Sequence, residues 1–218
     1  MKYTHLFFDM DGTLIDSRPG IFNSLIYALD MLGVTKNERP ADLNPFLGPP
    51  LRDSFKTMFG FDEKKAEQAT AVYREYYSKR GINEYKIYHE IPQTLAKLKS
   101  AGYHLSVVTS KAEVYAREII IHAGLSGFFS AVSGCELNGA RSEKHELITY
   151  TLAQTGLEPS GRVLMIGDRY HDIKGARLAG VSSAAILYGY GSYPELAAEH
   201  PSLFIQSPGE MFEKIHHK

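Results

Sequence analysis

Apolar residues recur along this chain in two different rhythms. Between Asp16 and Lys86 they return at helical spacing, which predicts three helices and no convincing strand. These predicted helices cover residues 17–32, 51–59 and 62–80. From Tyr88 onward, short apolar runs alternate with helical segments, most of which end at a glycine. The first rhythm indicates a small all-helical domain, and the second indicates an α/β domain.

The alternating rhythm predicts a sheet whose strands are separated by helices. The predicted strands are residues 6–8, 104–108, 128–133, 162–166, 183–187 and, at an edge, 203–205, and the predicted helices are 92–101, 112–123, 144–155, 172–179 and 207–215. Connections of this length imply right-handed crossovers between parallel strands. The expected fold class is α/β: a Rossmann-like parallel sheet core of residues 1–15 and 87–218, with a helical domain of residues 16–86 inserted after the first strand.

Polar residues follow three of the predicted strands at their carboxyl ends. They are Asp9 and Asp11, Thr109 and Ser110, and Gly167 with Asp168. In an open parallel sheet, ligands bind beyond this edge, where the strand order reverses. The sheet rule therefore selects these residues independently of any motif, and all but the glycine suit a phosphate or a metal.

Two acids one residue apart, Asp9 and Asp11, end the first strand. Carboxylates this close repel each other, and both stay ionised only where a cation or hydrogen-bond donors compensate. With Mg²⁺ holding a phosphate there, one carboxylate can attack and the other can move a proton. The pair Asp11-Gly12 is equally a common hairpin turn, and this stretch alone does not decide between a turn and a site.

A second acid pair and a lysine complete the candidate chemistry. Asp168 and Asp172 stand four residues apart across a strand-to-helix turn, although Asp172 also suits a helix N-cap. Oxygen ligands without cysteine or paired histidine favour Mg²⁺ over zinc. Thr109 and Ser110 precede a predicted helix start, which suits an anion. Lys144 begins another helix, where it either supplies a positive charge to a phosphate or lies solvated on the surface.

Composition excludes several classes of protein. The 218 residues carry a formal net charge of −1, so the sequence shows no excess of positive charge that would bind nucleic acid or an anionic membrane. One cysteine, Cys135, excludes an internal disulfide and fits a reducing compartment. The sequence has no apolar run of membrane-spanning length, no P-loop and no nucleophile elbow. We therefore expect a cytoplasmic protein. Its expected oligomeric state is a monomer or a homodimer.

Four short motifs occur in a fixed order along the chain. They are Asp9-Met-Asp11-Gly12-Thr13-Leu14, Thr109 after an apolar strand, Lys144, and Gly167-Asp168 with Asp172. In order and position they resemble the four motifs of the haloacid dehalogenase-like hydrolases, and the helical domain resembles the C1-type cap of that superfamily. Two further stretches resemble particular members of the superfamily. Leu47–Arg52 resembles the cap loop of phosphoglycolate phosphatase-like and pyrophosphatase-like members, and Gly189–Ser192 with Glu195-Leu196 resembles a bacterial subgroup of phosphoglycolate phosphatases or 5′-nucleotidases.

The third motif departs from the pattern of the family. Many relatives have Lys-Pro-x-Pro there, whereas this chain has Ser142-Glu143-Lys144-His145-Glu146. Lys144 is the expected phosphate-binding lysine because it sits at a helix start, and Arg141 is the alternative.

The resemblance implies a Mg²⁺-dependent phosphatase that forms an aspartyl-phosphate. In this chain Asp9 would then be the nucleophile and Asp11 the general acid and base. Mg²⁺ would be bound by Asp9, the backbone carbonyl of Asp11 and Asp168, and Asp172 would support this metal site or ligate the ion through water. The phosphate would be bound by Thr109, Ser110 and Lys144, and Arg52 of the cap would contact the rest of the substrate.

The resemblance leaves several small phosphorylated metabolites open as substrates. Phosphoglycolate is preferred, nucleoside monophosphates and pyrophosphate are the alternatives, and a sugar phosphomutase shares every motif. A dehalogenase does not need the second acid, so Asp11 argues against that activity.

Overall fold

The computed structural model describes residues 2–217, which divide into two compact units. One unit contains the residues up to Asp16 and those from Ile87 onward, and the other contains Ser17–Lys86. None of the helices within residues 2–217 combines the length and the apolar character that crossing a membrane requires. The role of residues 16–86 as a cap stays a prediction.

A six-stranded parallel sheet forms the centre of the first unit. The described strands are β1 (His5–Phe8), β2 (Ile15–Asp16), β3 (Lys86–Ile87), β4 (His104–Ala112), β5 (Ala131–Cys135), β6 (Val163–Gly167), β7 (Ser182–Ile186) and β8 (Leu203–Ile205). The large sheet has the order β5–β4–β1–β6–β7–β8 with parallel neighbours throughout, and β2 pairs with β3 in a sheet of two strands. The expected α/β class with a parallel sheet is confirmed.

Strand β1 lies in the middle of the large sheet because it is apolar on both faces. Leu6, Phe7 and Phe8 are all 0% exposed. Strands β4 and β6 flank β1 in register, so that Phe8 is level with Val107 on one side and Ile166 on the other. The residues that follow these three strands therefore meet at one edge of the sheet.

Helices connect the strands and build the second unit. Those described are α1 (Arg18–Met31), α2 (Leu51–Phe59), α3 (Glu63–Lys79), α4 (Ile91–Ser100), α5 (Glu113–His122), α6 (Lys144–Thr155), α7 (Tyr170–Leu178), α8 (Tyr193–Ala197) and α9 (Met211–His216). Helices α1, α2 and α3 agree with the predicted bounds to within one residue. The helical spacing of apolar residues between positions 16 and 86 therefore predicts these three helices correctly.

Short elements differ from the sequence prediction. Phe128, the predicted start of a strand, ends a 3-10 turn, and β5 begins only at Ala131. Helix α8 has five residues, too few for an apolar period to predict it. Helix α9 begins at Met211 and not at the predicted residue 207, because Pro208 and Gly209 form a turn before it. Strand β4 continues to Ala112, beyond its predicted end at residue 108.

An apolar cluster packs helices α6 and α7 against the central strands. Its buried members are Phe7, Val108, Leu147, Ile148, Leu152, Val163, Met165, Ala176, Ala179 and Val181. Burying one large apolar side chain contributes roughly 1.5–3 kcal/mol relative to leaving it in water. This packing holds the first turns of α6 and α7, which carry Lys144 and Asp172, beside the ends of β1 and β6.

Aromatic side chains pack between the helices of the second unit. The ring centroids of Phe46 and Phe55 are 5.2 Å apart, and those of Phe46 and Tyr73 are 6.0 Å apart. These aromatic contacts give the unit a core of its own. Its helix α3 begins at a capping residue, since the Asp62 carboxylate accepts a hydrogen bond of 2.8 Å from the backbone N–H of Lys65.

Candidate active site

The chain turns sharply where β1 ends. The backbone N–H of Asp9 continues the ladder to β6 by donating to the carbonyl of Ile166 at 2.9 Å. The Met10 carbonyl then accepts from the N–H of Leu14 at 2.9 Å, and Gly12 takes a φ of +83° that a side chain would oppose. Because both neighbours of β1 are parallel strands, the Asp11-Gly12 turn does not form a hairpin with it. The hairpin alternative is excluded.

Lys144 is buried against the acids of the site. It begins α6, is 4% exposed, and lies with its Nζ 2.8 Å from Asp9 Oδ1 and 2.8 Å from Asp172 Oδ1. The same ammonium donates to the backbone carbonyl of Val108 at 3.1 Å. Lys144 is therefore not a solvated surface residue, and it contacts the residue after β1, the backbone of β4 and the first turn of α7.

Three buried carboxylates meet at this edge of the sheet. One oxygen each of Asp9, Asp168 and Asp172 lies within 4.8 Å of the others. Asp168 Oδ2 accepts from the backbone N–H of Tyr190 at 2.7 Å. Asp172 Oδ2 accepts from the N–H of Arg169 at 3.0 Å. The N-cap residue of α7 is therefore Arg169 and not Asp172 as predicted, and Asp172 closes the first turn from the third helical position while it faces the cluster. The structure thus brings together the three acids that the sequence proposes as metal ligands.

Burial and mutual repulsion of the carboxylates shift the pKa values of this cluster. Burial raises the pKa of Asp9 to about 6, with Asp172 and Asp11 adding to the rise and Lys144 opposing it. Burial together with Asp172 and Asp9 raises the pKa of Asp168 well above its ordinary value. For Asp172, burial alone would raise the pKa, but the charges of Lys144 and His171 and the hydrogen bonds from Lys144 and the Arg169 N–H together lower it. Lys144 offsets only part of the charge, so the oxygen-rich group fits a divalent cation.

The end of β4 supplies further polar groups. Thr109 is 1% exposed, and its Oγ1 accepts from the N–H of Lys111 at 3.2 Å. The Ser110 hydroxyl donates to the carbonyl of Ser142 at 3.3 Å. Both residues lie inside β4, which extends to Ala112, and α5 starts at Glu113, one residue after its predicted start at residue 112. Their contact with a phosphate stays a prediction.

Lys111 is a residue of the site that the sequence reasoning missed. Its Nζ lies 3.0 Å from Asp11 Oδ2, and the two side chains are 8% and 18% exposed. A basic residue directly after the Thr109-Ser110 strand end was the available signal, because it belongs to the same edge of the sheet.

A glycine-rich segment after β7 closes around Asp168. A Cβ added to Gly189 would lie 2.3 Å from Asp168 Cβ, and one added to Gly191 would lie 2.1 Å from the Asp168 carbonyl oxygen. Farther along, Glu195 Oε1 accepts from Arg169 Nε at 2.8 Å and from the N–H of Tyr170 at 3.1 Å. The segment therefore holds the β6–α7 turn that carries Asp168.

Arg141, the alternative to Lys144, has described contacts of another kind. Its guanidinium carbon lies 3.9 Å from the ring centroid of Tyr150, and its Nη2 is 3.5 Å from Glu136 Oε1. Arg141 thus stacks on a residue of α6 and pairs with an acid of the preceding loop. Lys144, in contrast, contacts Asp9 directly.

Arg52 belongs to the helical unit and takes part in ion pairs there. Its Nη1 lies 3.0 Å from Glu63 and its Nη2 3.3 Å from Glu67, with the Arg52 side chain 48% exposed. The structure thus places Arg52 in an exposed network between α2 and α3. Its contact with substrate stays a prediction.

Comparison with known proteins agrees with this geometry. A family model described as haloacid dehalogenase-like hydrolase matches residues 6–186. A 5′-nucleotidase of Pseudomonas aeruginosa is 42% identical over 202 residues, which are 93% of this chain and 90% of that protein. A phosphoglycolate phosphatase of Aquifex aeolicus is 31% identical over 206 residues, 94% of this chain and 93% of that protein.

A solved structure extends the similarity to the whole fold. The crystal structure of a predicted phosphatase from Clostridium acetobutylicum superposes with a TM-score of 0.92 at 36% identity and covers 99% of each chain. The match includes the strand ends that carry Asp9, Thr109 and Asp168. The chain belongs to the haloacid dehalogenase-like hydrolase family, and within that family it is a phosphatase.

Proposed function

We propose that this phosphatase hydrolyses phosphate monoesters of small metabolites through a covalent phosphoryl intermediate on Asp9. One observation carries the proposal: the ammonium of Lys144 lies 2.8 Å from both Asp9 and Asp172 within a buried group of carboxylates. A carboxylate held at a strand end beside a buried positive charge suits a nucleophile for phosphorus, because the same charge attracts the phosphate oxygens.

The reaction would proceed in two displacements at phosphorus. First, an Asp9 oxygen bonds to phosphorus while the bond to the leaving oxygen breaks, and that oxygen keeps the electron pair and takes a proton from Asp11. Then Asp11 removes a proton from water, whose oxygen bonds to phosphorus and releases Asp9. One ester and one water give one alcohol and one inorganic phosphate.

The remaining polar groups of the sheet edge would bind the phosphate. The Thr109 hydroxyl accepts from the N–H of Lys111, which leaves its own proton for a phosphate oxygen. Lys144 and the backbone N–H of Ser110 would bind the other oxygens. Buried donors of this kind stabilise charge on a transferring phosphoryl group because they need not reorganise during the step.

Asp9, Asp168 and Asp172, with the backbone carbonyl of Asp11, would hold Mg²⁺. Hard oxygen donors within 4.8 Å of one another, buried and short of positive charge, support this choice of cation. When bound, the cation neutralises part of the charge that the acids and the phosphate bring together.

The helical unit would act as the cap that selects the substrate, with Arg52 contacting a carboxylate or second phosphate. Phosphoglycolate, nucleoside monophosphates and pyrophosphate are the candidate substrates. Proteins named phosphoglycolate phosphatase, 5′-nucleotidase and pyrophosphatase are each similar to this chain over more than nine-tenths of its length. A cytoplasmic location and a monomeric or homodimeric state stay predictions.

Phosphate release from a panel of small phosphate compounds tests the proposal. The panel contains nucleoside 5′-monophosphates, phosphoglycolate, pyrophosphate and a sugar 1-phosphate, each with Mg²⁺ and with EDTA. We expect Asp9→Asn to abolish release and the exposed variant Glu158→Gln to leave it unchanged. Turnover retained in Asp9→Asn, or equal turnover with EDTA, would contradict the proposed mechanism, and isomerisation of the sugar phosphate without net release would indicate a mutase.

A further inference from the structure

Lys111 connects the candidate general acid to the phosphate-binding strand end. Its Nζ lies 3.0 Å from Asp11 Oδ2, and its backbone N–H donates to Thr109 Oγ1 at 3.2 Å. The Lys111 side chain is only 8% exposed, so its position is set by the surrounding protein. One residue thus contacts both the acid and a hydroxyl of the phosphate site.

The carboxylate of Asp11 has two oxygens in different situations. Oδ2 is paired with Lys111, whereas Oδ1 is buried and has no hydrogen-bond partner among residues 2–217. A buried polar atom without a partner is uncommon in a folded protein, and it occurs where a substrate or water completes the site. Oδ1 is therefore the oxygen that remains available for proton transfer.

We propose that Lys111 is a positioning residue that holds Asp11 by its Oδ2, so that Oδ1 is presented to the leaving oxygen of the substrate. This inference rests on the proposed function, because it needs Asp11 to act as the acid. Proton transfer requires the acid within about 2.6–3.2 Å of the accepting oxygen. An aspartate rotates about two side-chain bonds, and an ion pair shielded from water restricts both.

The alternative partner for Lys111 is a second negative group on the substrate. An ammonium beside the general acid lies on the side of the leaving group, where a carboxylate or a second phosphate would be attracted. The existing contact with Asp11 at 3.0 Å favours the positioning role, because a lysine reserved for substrate would have no need of this partner. A comparison of substrates with and without a second negative group separates the two roles.

The test compares leaving groups in kcat/KM, which reports the first displacement. The substrates are p-nitrophenyl phosphate, whose phenolate leaves without protonation, propyl phosphate, whose alkoxide needs a proton, and phosphoglycolate, which carries a second negative group. We expect Lys111→Met to lower kcat/KM for propyl phosphate about 100-fold, within the usual range for general acid catalysis, and to change p-nitrophenyl phosphate less than about threefold. Lys111→Arg should restore most of the loss, and the exposed control Lys174→Met should behave as the wild type.

Two results would overturn the inference while the proposed function stands. Equal losses for both substrates would indicate a structural or phosphate-binding role, and a loss confined to phosphoglycolate, with propyl phosphate unaffected, would assign Lys111 to the substrate anion. A double variant guards against misfolding: in the Asp11→Asn background, Lys111→Met should lower kcat/KM for propyl phosphate no further. If the wild type released no phosphate from these esters or from any compound of the metabolite panel, the proposed function itself would fail.

Discussion

The ammonium of Lys144 lies 2.8 Å from the carboxylate of Asp9, although 135 residues separate the two in sequence. Their side chains are 2% and 9% exposed, so this ion pair is largely shielded from water. An exposed pair contributes at most about 1 kcal/mol, but removing one partner of a buried pair leaves an uncompensated charge and costs about 3–5 kcal/mol.

Lys144→Ala is therefore expected to reduce both stability and turnover. Without its ammonium, the free energy of unfolding should fall by about 3–5 kcal/mol in the absence of metal, since Asp9 and Asp172 both lose their partner. Urea unfolding measures the first effect and phosphate release the second. Arg141→Ala is the matched comparison, because Arg141 stacks on Tyr150. A larger loss of turnover in Arg141→Ala would transfer the phosphate-binding role to Arg141.

Gly189→Ala is expected to weaken Mg²⁺ binding although it replaces none of the proposed ligands. The added Cβ would lie 2.3 Å from Asp168 Cβ and 2.5 Å from the carbonyl oxygen of Gly12, so Asp168 must move. Changes behind a metal ligand typically lower affinity about 10–100-fold. Calorimetric titration with Mg²⁺ measures the effect.

Gly127→Ala is the control for this substitution, because a Cβ at Gly127 meets no atom within 4 Å. It should bind Mg²⁺ as the wild type does. Unchanged affinity in Gly189→Ala would show that the segment after β7 does not set the position of Asp168.

Arg52→Ala is expected to raise KM for phosphoglycolate more than for propyl phosphate. A guanidinium pairs in bidentate fashion with a carboxylate, and propyl phosphate offers none. Stability should change by less than about 1 kcal/mol, since the pairs of Arg52 with Glu63 and Glu67 are exposed.

Lys56→Ala is the matched control for Arg52→Ala. Lys56 lies 2.8 Å from the same Glu63 and is 42% exposed, so its loss removes a charge of equal sign from the same network. Equal rises of KM for both substrates in Arg52→Ala, or the same selectivity change in Lys56→Ala, would remove Arg52 from substrate recognition.

The strand-end rule predicts from sequence which acids approach one another, but not which bases pair with them. Asp9 and Asp168 follow adjacent strands, so their meeting depends only on parallel order. The burial of Lys144 depends on how α6 packs on α7, and an apolar period does not encode that contact. Lys111 lies within the stretch of β4 between Val108 and Ala112, where the register with β5 shifts and alternation no longer predicts the direction of a side chain.

Two stacked histidines, His5 and His104, begin strands β1 and β4 at the end of the sheet opposite to the candidate site, and one of them makes the stability depend on pH. The rings of His5 and His104 are parallel within 16° and 4.7 Å apart. Burial, with His104 and Arg162 adding to it, lowers the pKa of His5 below its ordinary value of 6.5. Below pH 6.5 the unfolded chain therefore binds more protons at this residue than the folded chain does. The contribution of His5 to stability is complete above pH 6.5 and is lost as the pH falls.

His5→Gln is accordingly expected to make the protein less sensitive to acid. Between pH 7.5 and pH 5.5, the urea midpoint of the wild type should fall more steeply than that of the variant, since the variant has no group to protonate at this position. His89→Gln is the control, because the His89 side chain is 95% exposed. Parallel profiles for the wild type and His5→Gln would contradict the assignment, and the same flattening in His89→Gln would indicate a general charge effect instead of the histidine stack.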